Sequence, residues 1–497
     1  MRMFNSIIEA VAKYAKEMPN KFCVIDHNGA HTYEEIWELT QAAMWQMKKL
    51  GIKKRDCIMV ECTQDALFLV CDLACELCGA IFVPIEHKAS EERVKIIAED
   101  TDARLFICNT EYDISVKMMS INLFFIEKSN KIETAIIFPQ KESTAEILYT
   151  TGTTGIAKGV EITNGNNIAL AENVKYGTEM KKNNIELIPL PLSHSHGLRC
   201  CYANMLNGST VVLVEGVSRV KYVFDLIMQY GVTAIDASPS AILILNKLSK
   251  GKFGEISRQI DYIQVGTEVL SEDVKELLIL NFPTARLYNF YGSTESGRTC
   301  VLNFNKERGK KGCIGRPTRN AKFIVTDEER REIRSSRDNV GLLASAGLMN
   351  MRGYWRQDKL TQQIVGEGYV YTNDIGYIDE EGYIYVIGRK DDVINYKGIK
   401  IAPEEIEEKA RKYEGIVDCA CIPQADSISG QVPKLFIVVR NKEKFQIKKF
   451  FSFLEKYIDE NKMPKGIEII DEIPRTYNGK IHRMKLINRE GDAVKNT

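Results

Sequence analysis

The chain has 497 residues, enough for about three domains, or two if one is large, with substantial cores and no need of covalent staples. Lys plus Arg and Asp plus Glu each number 67, so the formal charge is zero and the broad positive field of a nucleic-acid binder is missing. A hydrophobic share of 44% with 27% charged residues describes a soluble globular chain, not a disordered one.

The opening run Phe4-Asn5-Ser6-Ile7-Ile8-Glu9-Ala10 predicts an amphipathic helix with no secretion signal. The most apolar stretch, 67–85, is interrupted by Asp72, Glu76 and Pro84, so no membrane span is expected. The 13 cysteines are then expected to stay reduced in the cytoplasm. Strand 57–61, helix 65–78, strand 80–83, helix 90–100 and strand 105–108 alternate in the α/β manner. Ser90 reads as the N-cap of its helix, with Glu91 and Glu92 behind it. Cys71, Cys75 and Cys78 share one helical face and read as core. The alternation resumes at 210–214, 220–230, 234–235 and 260–265, which implies a mainly parallel sheet covered on both faces. Residues 377–387 predict a hairpin turning at 379–382. Beyond Gly388 the charged run Arg389-Lys390-Asp391-Asp392 opens a smaller α+β unit, which ends in an amphipathic helix near 445–457. A boundary therefore falls between 1–388 and 389–497. The basic run 442–449 alternates with apolar residues and reads as a solvated helix face.

The strongest chemical signal is Thr150-Thr151-Gly152-Thr153-Thr154-Gly155-Ile156-Ala157-Lys158-Gly159. Glycines let backbone N–H groups turn toward an anion, hydroxyls add donors, and Lys158 adds a positive charge. The chain has no Gly-Lys-Ser or Gly-Lys-Thr, so this is not a Walker A loop. Four further blocks follow: Asn289-Phe290-Tyr291-Gly292-Ser293-Thr294-Glu295, Tyr371-Thr372-Asn373-Asp374-Ile375-Gly376, Gly388-Arg389-Lys390-Asp391-Asp392 and Pro474-Arg475-Thr476-Tyr477-Asn478-Gly479-Lys480-Ile481. Taken singly, their polar residues would pass for turn residues or surface ion pairs.

Together and in this order, the five blocks resemble the adenylate-forming superfamily, which comprises acyl-CoA synthetases, peptide-synthetase adenylation domains and luciferases. The resemblance spans most of the chain. It implies a large N-terminal α/β domain with mainly parallel sheets covered by helices, plus a small mobile α+β C-terminal domain. It also implies a ligase that joins a small carboxylic acid to ATP with release of pyrophosphate, then passes the acyl group to coenzyme A. Two alternatives are a stand-alone enzyme loading the phosphopantetheine of an acyl carrier protein, and a nucleotide-binding regulator without catalysis.

The resemblance also assigns residues. Thr150, Thr151, Gly152, Thr153, Thr154 and Lys158 would hold the ATP phosphates. Tyr291 would stack on the purine beside Asn289 and Gly292, and Thr294 would donate to the α-phosphate. Glu295, a hard oxygen ligand, would bind Mg²⁺ with the Thr150 hydroxyl. Asp374 would take the ribose hydroxyls and Arg389 the ribose or phosphate. Lys480 would supply the cation where two anions meet, a contribution worth roughly 10² to 10³ in rate. The small domain would pivot at Asp391, withdrawing Lys480 and presenting Asn395 to Gly398 for thiol attack.

For the acid, Leu190-Pro191-Leu192-Ser193-His194-Ser195-His196-Gly197-Leu198-Arg199-Cys200 resembles the block in which a histidine gates the carboxylate, and His194 takes that place. Ser195 stands where amino-acid-activating domains have aspartate, which argues against an α-amino acid. His194 and His196 form half of a metal pattern, with no third ligand apparent in the sequence. Arg199 and Cys200 face or border the pocket. Arg199 turned inward would admit a second carboxylate, while turned outward, the reading favoured here, it is a surface arginine. Val265-Gly266-Thr267-Glu268 resembles the stretch between adenine and acyl group, and Thr267 narrows that pocket. Asn373 replaces a glycine and suits a left-handed backbone.

Overall fold

The computed structural model describes residues 4–126, 136–151, 157–390, 392–396, 399–426, 430–475 and 481–495. Two compact units emerge, a larger one of Met1–Phe323 with Ala344–Thr372 and a smaller one of Ile324–Leu343 with Asn373–Thr497.

The larger unit contains a seven-stranded sheet in the order Gly353–Tyr354, Ala157–Thr163, Thr144–Thr151, Ile81–Ile85, Cys57–Glu61, Leu105–Ile107, Met118–Met119. Its pairings are parallel from Thr144–Thr151 onward, and every residue of Cys57–Glu61 and Ile81–Ile85 is buried. Burial on both faces explains the apolar runs at 57–60 and 81–85. Helix Ala66–Cys78 covers this sheet. Asp65 caps its start by accepting from the Phe68 N–H, and Gly79 ends it at φ +66°. Ser90 caps Glu91–Thr101 as expected. Cys71 and Cys75 are buried as the helical spacing predicts, and Cys78 is half-buried.

A second parallel run in the same unit orders Phe22–Asp26, Thr210–Leu213, Ile185–Ile188, Ala234–Ala237, Tyr262–Val265 and Arg286–Ser293. Gly297–Asn303 then returns antiparallel on Arg286–Ser293. The C-terminal ends of these strands, where crossovers leave space, are where α/β proteins place ligands.

In the smaller unit, Ile394–Tyr396, Ile399–Ile401, Ile416–Asp426, Gly430–Val439 and Gly466–Ile469 form a five-stranded sheet. Cys419, Cys421, Leu435 and Ile437 face one core, whereas Ala420, Ile422 and Phe436 face another. This period-two alternation buries both sides of the sheet. The predicted hairpin is present as the antiparallel pair Tyr369–Ile378 and Ile384–Arg389. The helix expected near 445–457 is shorter, Ile447–Leu454.

Candidate active site

Strands Thr144–Thr151 and Ala157–Thr163 flank the glycine–threonine run on either side, with Thr150 paired to Lys158 and Tyr149 to Gly159. Gly152, Thr153 and Thr154 lie outside the described residues, as does the Thr151 side chain. The flanks are braced. The Tyr149 hydroxyl donates to the Asp100 carboxylate, Trp355 Nε1 donates to the Asp100 carbonyl at 3.3 Å, and Trp355 N–H donates to the Gly159 carbonyl at 2.8 Å. Burial, then Asp100, pushes the Tyr149 phenol far up, so it stays a neutral donor. A Cβ on Gly159 would fall 2.8 Å from Ile147 Cγ2 and 3.0 Å from the Tyr149 ring, which is why glycine stands there.

Lys158 Nζ lies 5.6 Å from the centroid of the Tyr354 ring, and the Tyr354 hydroxyl donates to Glu295 Oε1 at 2.9 Å. Lys158, Tyr354 and Glu295 therefore line one edge beside Thr150. Glu295 follows strand Arg286–Ser293 in a turn closed by Ser293 and Ser296, whose hydroxyls are 3.0 Å apart. Gly292 is obligatory there, since a Cβ would fall 1.8 Å from the Gly297 carbonyl oxygen. Asn289 is buried in that strand, Thr294 is half-buried, and the Tyr291 hydroxyl lies 3.5 Å from Thr372 Oγ1. Ser240 donates to Glu268 Oε1 at 3.1 Å. The carboxylate of Glu295 and the hydroxyl of Thr150 are hard oxygen donors of the kind Mg²⁺ takes alongside phosphate oxygens.

On the acid side, His194 stands at the N-cap of helix Ser195–Asn207, its N–H donating to the Pro191 carbonyl at 3.2 Å. His194 and Ser195 are both half-buried. Gly197 lets the helix start close to the preceding turn, because a Cβ would meet the Leu190 and Pro191 carbonyl oxygens at 2.8 Å. His196 packs against Gly266, where a Cβ would come 2.5 Å from His196 Cε1. Its Nε2 lies 2.8 Å from Asp236 Oδ1, and the Cys200 thiol donates to Asp236 Oδ2 at 2.5 Å. His196, Cys200 and Asp236 form the one metal-capable grouping of His, Cys and acid side chains among the described residues, so the His-x-His half-pattern gains its further ligands through His196, not His194. A cation already serves it: Arg298 Nη2 donates to Cys200 Sγ at 2.8 Å and lies 3.6 Å from Asp236 Oδ2. Burial and then Arg298 lower His196 below its usual range, against the pull of Asp236. Burial alone would raise Asp236, but His196 and Arg298 outweigh it and hold the carboxylate below its usual range. Burial drives the Cys200 thiol well up.

Arg199 corrects the sequence expectation. It is 1% exposed, with Nη1 2.5 Å from Glu146 Oε1, and its guanidinium lies 5.4 Å from the Tyr202 ring centroid. It is neither a surface arginine nor an open cation for a second carboxylate. Thr267 sits at φ +74°, a region costly for a β-branched residue, while Asn373 adopts φ +60° as its side chain suggests.

In the smaller unit, Asp374 pairs with Arg389 across the hairpin, Arg389 Nε lying 3.3 Å from Asp374 Oδ1. Asp391, Gly398 and Lys480 lie outside the described residues. Within the lysine block, Arg475 and Ile481 form an antiparallel bridge. Arg483, three positions beyond Lys480, is anchored by Glu404 at 2.5 Å and Glu407 at 2.9 Å.

The two-unit α/β fold, with Thr150 and Lys158 paired beside the glycine–threonine run, fits an enzyme that activates its substrate with a nucleotide. The chain belongs to the AMP-binding enzyme family, whose sequence profile matches residues 11–355, and the family's C-terminal domain matches 405–480. It is an AMP-forming enzyme of the acid–thiol ligase kind. It is 26% identical over 485 residues to 4-coumarate–CoA ligase 3 of Arabidopsis thaliana, covering 92% of this chain and 86% of that one. The same identity over 485 residues relates it to 2-succinylbenzoate–CoA ligase of Oceanobacillus iheyensis, covering 96% and 98%. Its fold matches o-succinylbenzoate CoA synthetase (MenE) from Bacillus subtilis in complex with the acyl-adenylate OSB-AMP, with TM-score 0.86, 23% identity and 96% and 97% coverage. ATP-bound MatB from Rhodopseudomonas palustris matches with TM-score 0.85, 20% identity and 96% and 98% coverage. No helix among the described residues is long and apolar enough to cross a membrane.

Tyr354, Asp236 and Arg298 escape sequence reasoning. Asp236 within Ala234-Ile235-Asp236-Ala237 carries a signal, because a lone acid in a buried strand needs a partner.

Proposed function

We propose that the chain joins a small carboxylic acid to coenzyme A in two steps. The acid's carboxylate oxygen attacks the α-phosphorus of ATP, the bond to the β-phosphate oxygen breaks, and pyrophosphate leaves. The sulfur of coenzyme A then attacks the acyl carbonyl, AMP leaves, and the thiol proton passes to solvent. The observation that carries this reading is the single edge formed by Thr150, Lys158 and Glu295 through Tyr354. It sets hydroxyl, cation and carboxylate beside the glycine–threonine run proposed to hold the phosphates.

In this reading Thr150 to Thr154 and Lys158 hold the phosphates, Tyr291 and Asn289 the purine, Thr294 the α-phosphate, and Asp374 and Arg389 the ribose. Glu295 and Thr150 hold Mg²⁺, which when bound neutralises charge on the phosphates. His194 orients the acid's carboxylate, and Lys480 meets the two anions where they join. Residues 389–497 turn at Asp391 between the steps, bringing Gly398 to the pantetheine arm. Arg199, neutralised by Glu146, gives a dicarboxylate no cation. Ser195 gives an α-ammonium no counter-charge. Neither residue speaks for a dicarboxylate or an α-amino acid, and the acid proposed is a monocarboxylate without an α-amino group.

A pyrophosphate-release screen over aliphatic, aryl, amino and dicarboxylic acids, with thioester detection, tests this. Release with a subset of non-amino monocarboxylates and thioester formation with free coenzyme A are expected. Transfer only to a holo carrier protein would displace coenzyme A, and release with amino acids alone would overturn the reading of the acid.

A further inference from the structure

We propose that Tyr354 is a positioning residue for the metal: its hydroxyl orients the Glu295 carboxylate toward Mg²⁺ while its ring keeps Lys158 from neutralising that carboxylate. The inference rests on the assignment of Glu295 as a metal ligand above.

The geometry is specific. Tyr354 is buried against Val160, Ile162 and Met351, so its ring has a fixed seat. Its backbone is pinned twice, by pairing with Val160 and by its N–H donating to Thr361 Oγ1 at 2.8 Å. Glu295 is held at both ends by the same short segment: its carbonyl accepts from the Met351 N–H at 2.8 Å, and its Oε1 accepts from the Tyr354 hydroxyl at 2.9 Å. One carboxylate oxygen is thus committed to a donor, which fixes the direction of the other. On the ring face of the same tyrosine, Lys158 Nζ stands 5.6 Å from the centroid. Among the described residues, Lys158 and Glu295 form no ion pair with each other. Direct pairing would consume the charge that each needs, the carboxylate for a cation and the ammonium for phosphate. An aromatic ring attracts the ammonium through its face and leaves its charge uncancelled. Hydrogen-bond partners of metal ligands set ligand orientation, and losing one typically weakens metal affinity about 10-fold to 100-fold.

Tyr354→Phe removes the hydroxyl and keeps the ring. Mn²⁺ binding to the full-length enzyme with ATP, read by electron paramagnetic resonance, should weaken about tenfold. ATP affinity measured without divalent cation should stay within about twofold, because the ring under Lys158 remains. Glu295→Gln serves as the reference arm. If Glu295→Gln loses Mn²⁺ and Tyr354→Phe binds it as the parent does, the positioning role is overturned while the ligand assignment stands. If Glu295→Gln itself binds Mn²⁺ normally, the ligand assignment falls. Equal loss of metal-free ATP binding and Mn²⁺ binding in Tyr354→Phe would show a merely structural tyrosine and also overturn the proposal.

Discussion

Nη1 of Arg199 lies 2.5 Å from Oε1 of Glu146, with both side chains at most 1% exposed. The pair joins strand Thr144–Thr151 to the helix that begins beside His194. Glu146→Gln would leave a guanidinium buried without its counter-charge. Such a loss costs about 3 to 5 kcal/mol. Urea denaturation should show it, and a change under about 1 kcal/mol would mean that another group neutralises Arg199.

Asp72 sits in the same interior, accepting from the Tyr202 hydroxyl at 2.6 Å. Burial, then the charge of Glu146, pushes its carboxyl up from 3.8 to about 8. The folded chain therefore keeps a proton that the unfolded chain sheds above about 3.8. This contribution is fully present below that pH and lost as pH rises through about 8. Asp72→Asn mimics the protonated form at every pH. Its denaturation midpoint should gain on the parent's between pH 5 and pH 8. A gap independent of pH would mean that Asp72 is ionised in the fold.

Thr267 holds a left-handed backbone at φ +74° in the stretch expected to border the acyl group. Strain of this kind costs about 1 to 3 kcal/mol and persists where function needs it. Thr267→Gly should raise the melting temperature and admit bulkier acids in the pyrophosphate-release screen. A less stable variant with unchanged acid preference would remove Thr267 from the pocket.

The fold was largely legible because local patterns carried it. Ser90 and Asp65 announce helix starts, and apolar runs such as 57–60 announce strands buried on two faces. The glycine–threonine run stands out in the sequence because its glycines, hydroxyls and lysine are consecutive, while residues 152–156 themselves lie outside the described residues. What escaped depends on partners far apart in the chain. Arg199 reads as a surface residue until Glu146, 53 positions earlier, is placed against it. Tyr354 meets Glu295 across 59 positions. His196 finds Asp236 across 40. Residues 324–343, which join the smaller unit, carry no local mark of that membership.

The central claim is that a cation from the C-terminal region completes acyl-adenylate formation at the phosphate turn. Acid-dependent exchange of labelled pyrophosphate into ATP, measured for the parent and Lys480→Ala, tests it most directly. The parent should exchange only with an acid present, and the variant should fall about 10² to 10³-fold while binding ATP normally. Equal exchange in both proteins, or exchange that needs no acid, would contradict the account.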